Sequence, residues 1–483
     1  MTNAASYDAV VVGAGPNGLT AAVTLAGAGW SVLVIEAESE PGGGARSAEL
    51  TMPGFVHDVC SAIHPLGLAS PALRDLPLAE HGLRWIQPDV PLAHALMPDH
   101  AVVLDRSIDV TSDGLGAEDG PAYRRLMAPL EQAGLPLVDG LLSPLSMPPR
   151  PPIDLARFGL AGVRSAAGLA RSRFDHDEAR ALFAGLAAHS ILPLRAPITA
   201  GYAMTLGLLG HLVGWPLAEG GSASITDALV ALLHQRGGSI ETDHRVRSLD
   251  ELPSARAVLL DLTPRQVIDV AGGRLSSSYR RRLSRYRYGP GVFKVDWALA
   301  GPIPWRDPAV ARAGTVHLGG RLDEVVAAEA EVAAGRHAER PFVLLSQPSL
   351  FDPSRAPDGQ HTAWAYCHVP SGSTIDRTDA IERQVERFAP GFRDQILARH
   401  TMGPAAMEAH DANYVGGDIN GGMGDLRQFI GRPVLSRRPW ATPVDGLYLC
   451  SSSTPPGGGV HGMCGWHAAR CVLDDASGRR SAA

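Results

Sequence analysis

Gly13, Gly15 and Gly18 stand in the spacing GxGxxG, with Pro16 and Asn17 inside the turn. Glycines so spaced permit a tight turn and let a pyrophosphate approach the backbone. Glu36, followed by Ala37, closes the next apolar run. A carboxylate there suits both hydroxyls of an adenosine ribose and repels a 2′-phosphate, which disfavours NADP. Gly43, Gly44, Ala45 and Arg46 add backbone N–H groups and a guanidinium, both fitted to phosphate oxygens. Ser451 and Ser452 open a second small-residue loop that runs to Gly459, and Gly462 and Met463 start the helix after it. Three further residues are candidates for proton chemistry. Lys294 is the one lysine among 43 basic residues, and a buried amine can act as a base. His64 and His461 carry imidazoles.

The elements that hold these residues follow from pattern. Tyr7 to Val12 reads as a short buried strand, Leu19 to Ala28 as an apolar helix and Ser31 to Ile35 as a second strand. A helix N-terminus behind a glycine turn is an anion site. Near the other end, Leu447 to Cys450 reads as a strand and Gly462 to Leu473 as a helix. Glu219 to Ser248 reads as a capped helix and a strand, and Ala255 to Leu262 as another buried strand. Val292 to Leu299 is an expected strand that carries Lys294, and a helix is expected near Asp379 to Phe388. Gly116 to Pro216 is helix-rich, interrupted by a proline-marked loop at Ser143 to Asp154. The stretch "FGLAGVRSAAGLARSRF" is amphipathic and reads first as a core-facing helix, with a membrane-facing role left open by Arg164, Arg171 and Arg173.

Composition bounds the partners. The chain has 483 residues, so two or three lobes are expected. A net charge of -7 offers no general attraction to nucleic acid. The five cysteines contain no CxxC, which argues against a disulfide framework and a redox dithiol. Cys464, His467 and Cys471 could share a helix face. A zinc site needs a second ligand pair from another element, so no metal is expected and packing is the reading preferred. "GGSAS" and "SSST" are not nucleophile elbows. The uncharged run Ala9 to Ile35 is broken by glycines and lacks a preceding basic region, so no membrane span or targeting signal is expected. The expected location is the cytoplasm, with peripheral membrane contact open.

Four stretches carry a resemblance: "GGGAR", "PGFVHDVCSAIHP", "GGDINGGMGDLRQ" and "STPPGGGVHGM". The chain resembles the phytoene desaturase-like flavoproteins, and among them the phytoene dehydrogenase-related (pyridine nucleotide-disulfide oxidoreductase domain 2) type. These sit in the amine oxidase–GDP dissociation inhibitor group. The resemblance implies an α/β fold, with a discontinuous Rossmann-like FAD-binding domain (1–75, 218–272 and 430–483) and a mixed α+β substrate domain (76–217 and 273–429). It implies FAD as cofactor, with Ser61 beside it and the Val246 backbone at the adenine. Ser451 and Ser452 would face the ribityl and phosphate region, and Met463 N–H the flavin O2. Lys294 would reach flavin N5 through water, as a strand lysine followed by Pro304-Trp305 does in amine oxidases. The implied activity is hydride removal from a small, largely apolar substrate, with O2, a quinone or NAD as electron acceptor. Two alternatives stand beside it: an amine oxidase-type enzyme using O2, and a lipid or prenyl carrier without redox chemistry. Gly457-Gly458-Gly459 stands where amine oxidases place aromatic residues, which weighs against an amine.

Overall fold

The computed structural model describes residues 6–144 and 151–478. Part of the expected proline-marked loop, at 145–150, lies outside the described residues. In chain order, the strands of the two main sheets are β1 (Tyr7–Val12), β2 (Val32–Ile35), β3 (Val90–Met97), β4 (His100–Leu104), β5 (Ser239–Glu241) and β6 (Ala255–Leu260), then β7 (Gly291–Leu299), β8 (Ala313–Leu318), β9 (Val343–Ser346), β10 (His361–Val369), β11 (Ile396–Met402) and β12 (Leu447–Leu449). The helices used below are α1 (Pro16–Gly27), α2 (Gly116–Leu141), α3 (Pro152–Gly162), α4 (Ala166–Arg173), α5 (Asp177–Ala188), α6 (Thr199–Leu212), α7 (Ala223–Gln235), α8 (Thr378–Phe388) and α9 (Met463–Ala476).

One sheet has five parallel strands in the order β12–β6–β1–β2–β5. Parallel strands are covered on both faces, which is why β1 and β2 read as continuous apolar runs. Ala9 and Val11 join the cluster formed with α1, α7 and α9, while Val10 and Val12 pack on the opposite side with Val267 and Leu283. The sheet is assembled from both ends of the chain. α9 crosses α1 at Gly465, where a Cβ would fall 1.8 Å from the Asn17 carbonyl oxygen. Only glycine allows that approach.

The other sheet has seven strands in the order β11–β7–β10–β9–β8–β3–β4. All its pairs are antiparallel except β8 with β3. Its two faces differ sharply, because side chains alternate along each strand. Phe293, Val295 and Trp297 pack on α8 in an apolar cluster. The opposite face carries two cross-strand rows. One runs Leu92, Thr315, Ser346, Trp364, Asp296 and His400; the next runs His94, His317, Leu344, Tyr366, Lys294 and Met402.

The amphipathic stretch forms two helices, α3 and α4, rather than one. The Ser165 side chain accepts the Gly168 N–H and restarts the helix there. α4 buries Ala166, Ala167, Leu169 and Ala170 as expected, whereas Ile153, Leu160 and Val163 in and after α3 are exposed. Among the described residues, no helix is long and apolar enough to cross a membrane.

Candidate dinucleotide and substrate cavity

A cavity of about 330 Å³ runs from the carboxyl ends of β1, β2 and β6 to the polar face of the seven-stranded sheet. Ligands of open parallel sheets bind at such strand ends. Gly13, Gly15, Pro16 and Asn17 line it, with Glu36, Ala37 and Val246 further along the same end. The Glu36 carboxylate is 7% exposed and accepts the N–H groups of Ala14 (2.7 Å) and Glu38 (3.0 Å). Gly43, Gly44, Arg46 and Ser61 form the facing wall. Two buried atoms here lack a protein partner: Arg46 Nε and Asn17 Oδ1.

The two ends of the chain meet at this wall. Asn17 Nδ2 donates to Ser452 Oγ at 3.2 Å, and Ser451 Oγ donates to the Leu262 carbonyl at 2.8 Å. Ser451 and Ser452 both line the cavity. Gly18, Ala45 and Gly462 lie behind the surface: Gly18 N–H donates to Asp261, and Gly462 sits against Thr20.

The end of the C-terminal loop departs from expectation. Met463 N–H donates to His461 Nδ1 at 3.0 Å, so it does not point at a ligand. Met463 and His461 are each 1% exposed and neither lines the cavity; Gly459 and Val460 do. The His461 ring closes the turn before α9 on itself, with Nε2 at 3.2 Å from the Gly457 carbonyl. His64 does line the cavity. Ser222 Oγ–H donates to the Ser61 carbonyl, so His64 Nε2 donates to Ser222 Oγ (2.8 Å), leaving Nδ1 unpartnered. Burial holds His64 and His461 down at about 4, so both are neutral near pH 7.

Lys294 is also corrected in part. It lies on the cavity-facing side of β7, but it is 1% exposed and is not part of the cavity wall. Its ammonium forms an ion pair with Asp296, 0% exposed, and sits 5.4 Å from the centre of the Trp364 ring, which does line the cavity. Asp296 in turn faces His57 (3.7 Å) and His400 (3.4 Å). The amine is thus paired with Asp296 beneath an indole.

Several lining residues carry no motif in the sequence. Asp261 directly follows β6 and accepts Gly18 N–H at 2.9 Å; burial, with Asp411 and Glu36 nearby, pushes its carboxyl up to about 8 despite that bond. A polar residue ending a buried parallel strand was the available signal. Tyr414 packs its hydroxyl against Gly44, where a Cβ would lie 1.8 Å away. Cys60 lines the cavity, and burial pushes its thiol up to about 11, which keeps it protonated. The far end is formed by His189, Leu206, Trp215, Thr315, Trp364 and Tyr366. Cys464 is buried, and its thiol reaches the Thr454 and Gly457 carbonyls, both at 3.4 Å.

Residues 11–76 match the model of the NAD(P)-binding Rossmann-like domain. Over 97% of its length the chain is 27% identical to mouse pyridine nucleotide-disulfide oxidoreductase domain-containing protein 2, covering 94% of that protein. It is 24% identical over 94% of its length to the lycopene-forming phytoene desaturase of Pseudescherichia vulneris, covering 96% of it. Over nearly its whole length the chain is thus similar to phytoene desaturase-like oxidoreductases. The fold of this desaturase-like chain is also that of wild-type putrescine oxidase bound to putrescine, with a TM-score of 0.64, 17% identity and 98% and 99% of the two chains covered.

Proposed function

We propose that the desaturase-like chain is an FAD-dependent dehydrogenase that removes hydride from a small, largely apolar substrate. One observation carries this reading: a single cavity joins the glycine turn, Glu36 and Arg46 to a chamber walled by Leu206, Trp215, Leu344 and Trp364. The residues fit a dinucleotide of the flavin type. Glu36 meets a ribose, and the unpartnered Arg46 Nε and Asn17 Oδ1 stand where the pyrophosphate and its neighbouring hydroxyls would be held. Ser451, Ser452 and Val246 line the same cavity, where the serines would run along the ribityl chain and the Val246 backbone would meet the adenine. The described parts of 1–75, 218–272 and 430–483 would form the FAD-binding domain, and the rest the substrate domain.

When bound, FAD supplies the hydride acceptor. The protein's own task is to position and to exclude water. Trp215, Leu206 and Leu344 form a dry wall against an apolar skeleton. Lys294 acts from behind Trp364, holding positive charge near the chamber without entering it. Purified protein supplied with FAD is expected to become yellow and to bleach anaerobically with apolar terpenoids. A colourless protein that takes up no FAD sinks the reading, and bleaching by putrescine alone transfers it to an amine oxidase.

A further inference from the structure

The far end of the cavity sets polar groups among its apolar ones. Thr315, Ser346 and Trp364 are direct cross-strand neighbours on β8, β9 and β10, so their side chains share one face. They are 1%, 0% and 3% exposed. Thr315 Oγ1, Ser346 Oγ and Trp364 Nε1 are all buried without a hydrogen-bond partner. Thr315 and Trp364 line the cavity, and Ser346 stands between them in the row. Buried polar groups are almost always paired, and a row of three that are not is a row awaiting a partner.

A second set of polar groups adjoins it. His189 lines the cavity, and its Nε2 lies 2.9 Å from His317 Nε2, in the next cross-strand row. His94 Nε2 donates to the Gly320 carbonyl at 2.7 Å. His317 Nδ1 and His94 Nδ1 have no partner. Burial lowers all three rings well below the ordinary imidazole range, so each is neutral. Between two neutral rings, one Nε2 carries the shared proton. If His189 donated, His317 would carry its own proton on Nδ1 as a buried N–H with no acceptor. The arrangement that avoids this has His317 donating, which leaves His189 protonated on Nδ1. The cavity-lining imidazole therefore retains a donor of its own.

We propose that this chamber takes a substrate whose carbon skeleton bears a hydroxyl or carbonyl oxygen, bound by the Thr315–Ser346–Trp364 row and by His189. The proposal rests on the reading of this cavity as the substrate chamber, and it narrows the substrate from apolar compounds in general to oxygenated ones. Trp364 Nε1–H needs an acceptor, and the two hydroxyls can either give or take a proton. A hydrocarbon would cover all three without pairing any.

The test compares geraniol and citral, which carry the oxygen, with the hydrocarbon myrcene. Affinity is read from quenching of tryptophan fluorescence, since Trp215 and Trp364 line the chamber. Geraniol or citral is expected to bind about tenfold or more tightly than myrcene. Thr315→Val with Ser346→Ala is expected to bring that ratio to within about threefold by weakening the oxygenated probe alone. Ser346→Ala by itself, a smaller change, is expected to lower the ratio part-way. Equal binding of the three probes overturns the proposal. So does binding of none, or a ratio that survives in both variants. FAD uptake and anaerobic bleaching are scored separately, and the affinity ratio is read with or without flavin, so failure of the redox reading is distinguishable from failure of this one.

Discussion

Lys294 and Asp296 stand two residues apart on β7, on one face of the strand, and form a buried ion pair beneath the Trp364 indole. Arginine has replaced lysine everywhere else in the sequence. A guanidinium is broader and planar, whereas an ammonium is compact. The surviving lysine thus occupies a site where shape matters, and its carboxylate partner ties it to the sheet.

This pairing changes what a substitution can reveal. Lys294→Met strands a buried carboxylate and is expected to cost about 3–5 kcal/mol of stability. Lys294→Met with Asp296→Asn should recover most of that in a denaturant melt. If Lys294 serves only the fold, the double variant also recovers normal flavin reduction and reoxidation. If it serves the chamber, stopped-flow rates stay low in a protein of ordinary stability.

Asp261 gives a pH signature. Its folded value, about 8, lies above the unfolded 3.8, so the fold holds a proton that the unfolded chain has lost. Stability contributed by this group therefore falls as pH rises from 3.8 toward 8 and stays low above it. A dinucleotide's phosphates favour the protonated form further. Flavin affinity is expected to weaken above pH 8, by roughly tenfold per pH unit at most. Asp261→Asn should flatten that dependence in equilibrium dialysis across pH 6–9.

Gly44 and Tyr414 test the wall proposed to hold the phosphates. Gly44→Ala drives a methyl group into the Tyr414 hydroxyl and is expected to cost about 1–3 kcal/mol and release the dinucleotide. Removing the hydroxyl moves the nearest tyrosine atom to 3.1 Å. Gly44→Ala with Tyr414→Phe should hold flavin better than Gly44→Ala alone, as scored by absorbance after gel filtration.

Acid should unfold the protein early. Burial is the first cause holding His57, His64, His94, His211, His410, His461 and His467 at about 4 and His189 at about 3. Each folded value is depressed below 6.5, so the unfolded chain binds protons that the fold refuses. That stability is present above 6.5 and lost as pH falls toward 4. Thermal melts are expected to drop steeply over this window, and a flat profile would contradict the burial of these rings.

The glycine turn, Glu36, Arg46 and the two serines were legible because each is a local pattern whose chemistry is set by its immediate neighbours. The end of the cavity at the glycine turn is built from such short stretches. The far end is not. Thr315, Ser346 and Trp364 become neighbours only through the register of three strands, and nothing local marks any of them. Asp261 lay inside the expected strand Ala255 to Leu262 without a motif of its own, and only the fold sets Gly18 against it. Met463 was misread because the competing acceptor, His461, lies two residues away and a motif does not reveal which way a ring turns. Lys294 was placed on the right face of the right strand. Its partner Asp296 is on the same face two residues on, a pairing the alternation of the strand contained.

The crossing of α1 and α9 at Gly465 has a consequence for biosynthesis. Helix α1 packs on α9, more than 400 residues later in the sequence, and β12 closes an edge of the sheet that holds β1. Until β12 and α9 emerge, the strands around the glycine turn lack part of their cover and Asn17 lacks Ser452. Such high sequence separation slows folding and prolongs exposure of apolar strands. On the proposed function, a nascent chain stalled before residue 447 should therefore emerge without flavin.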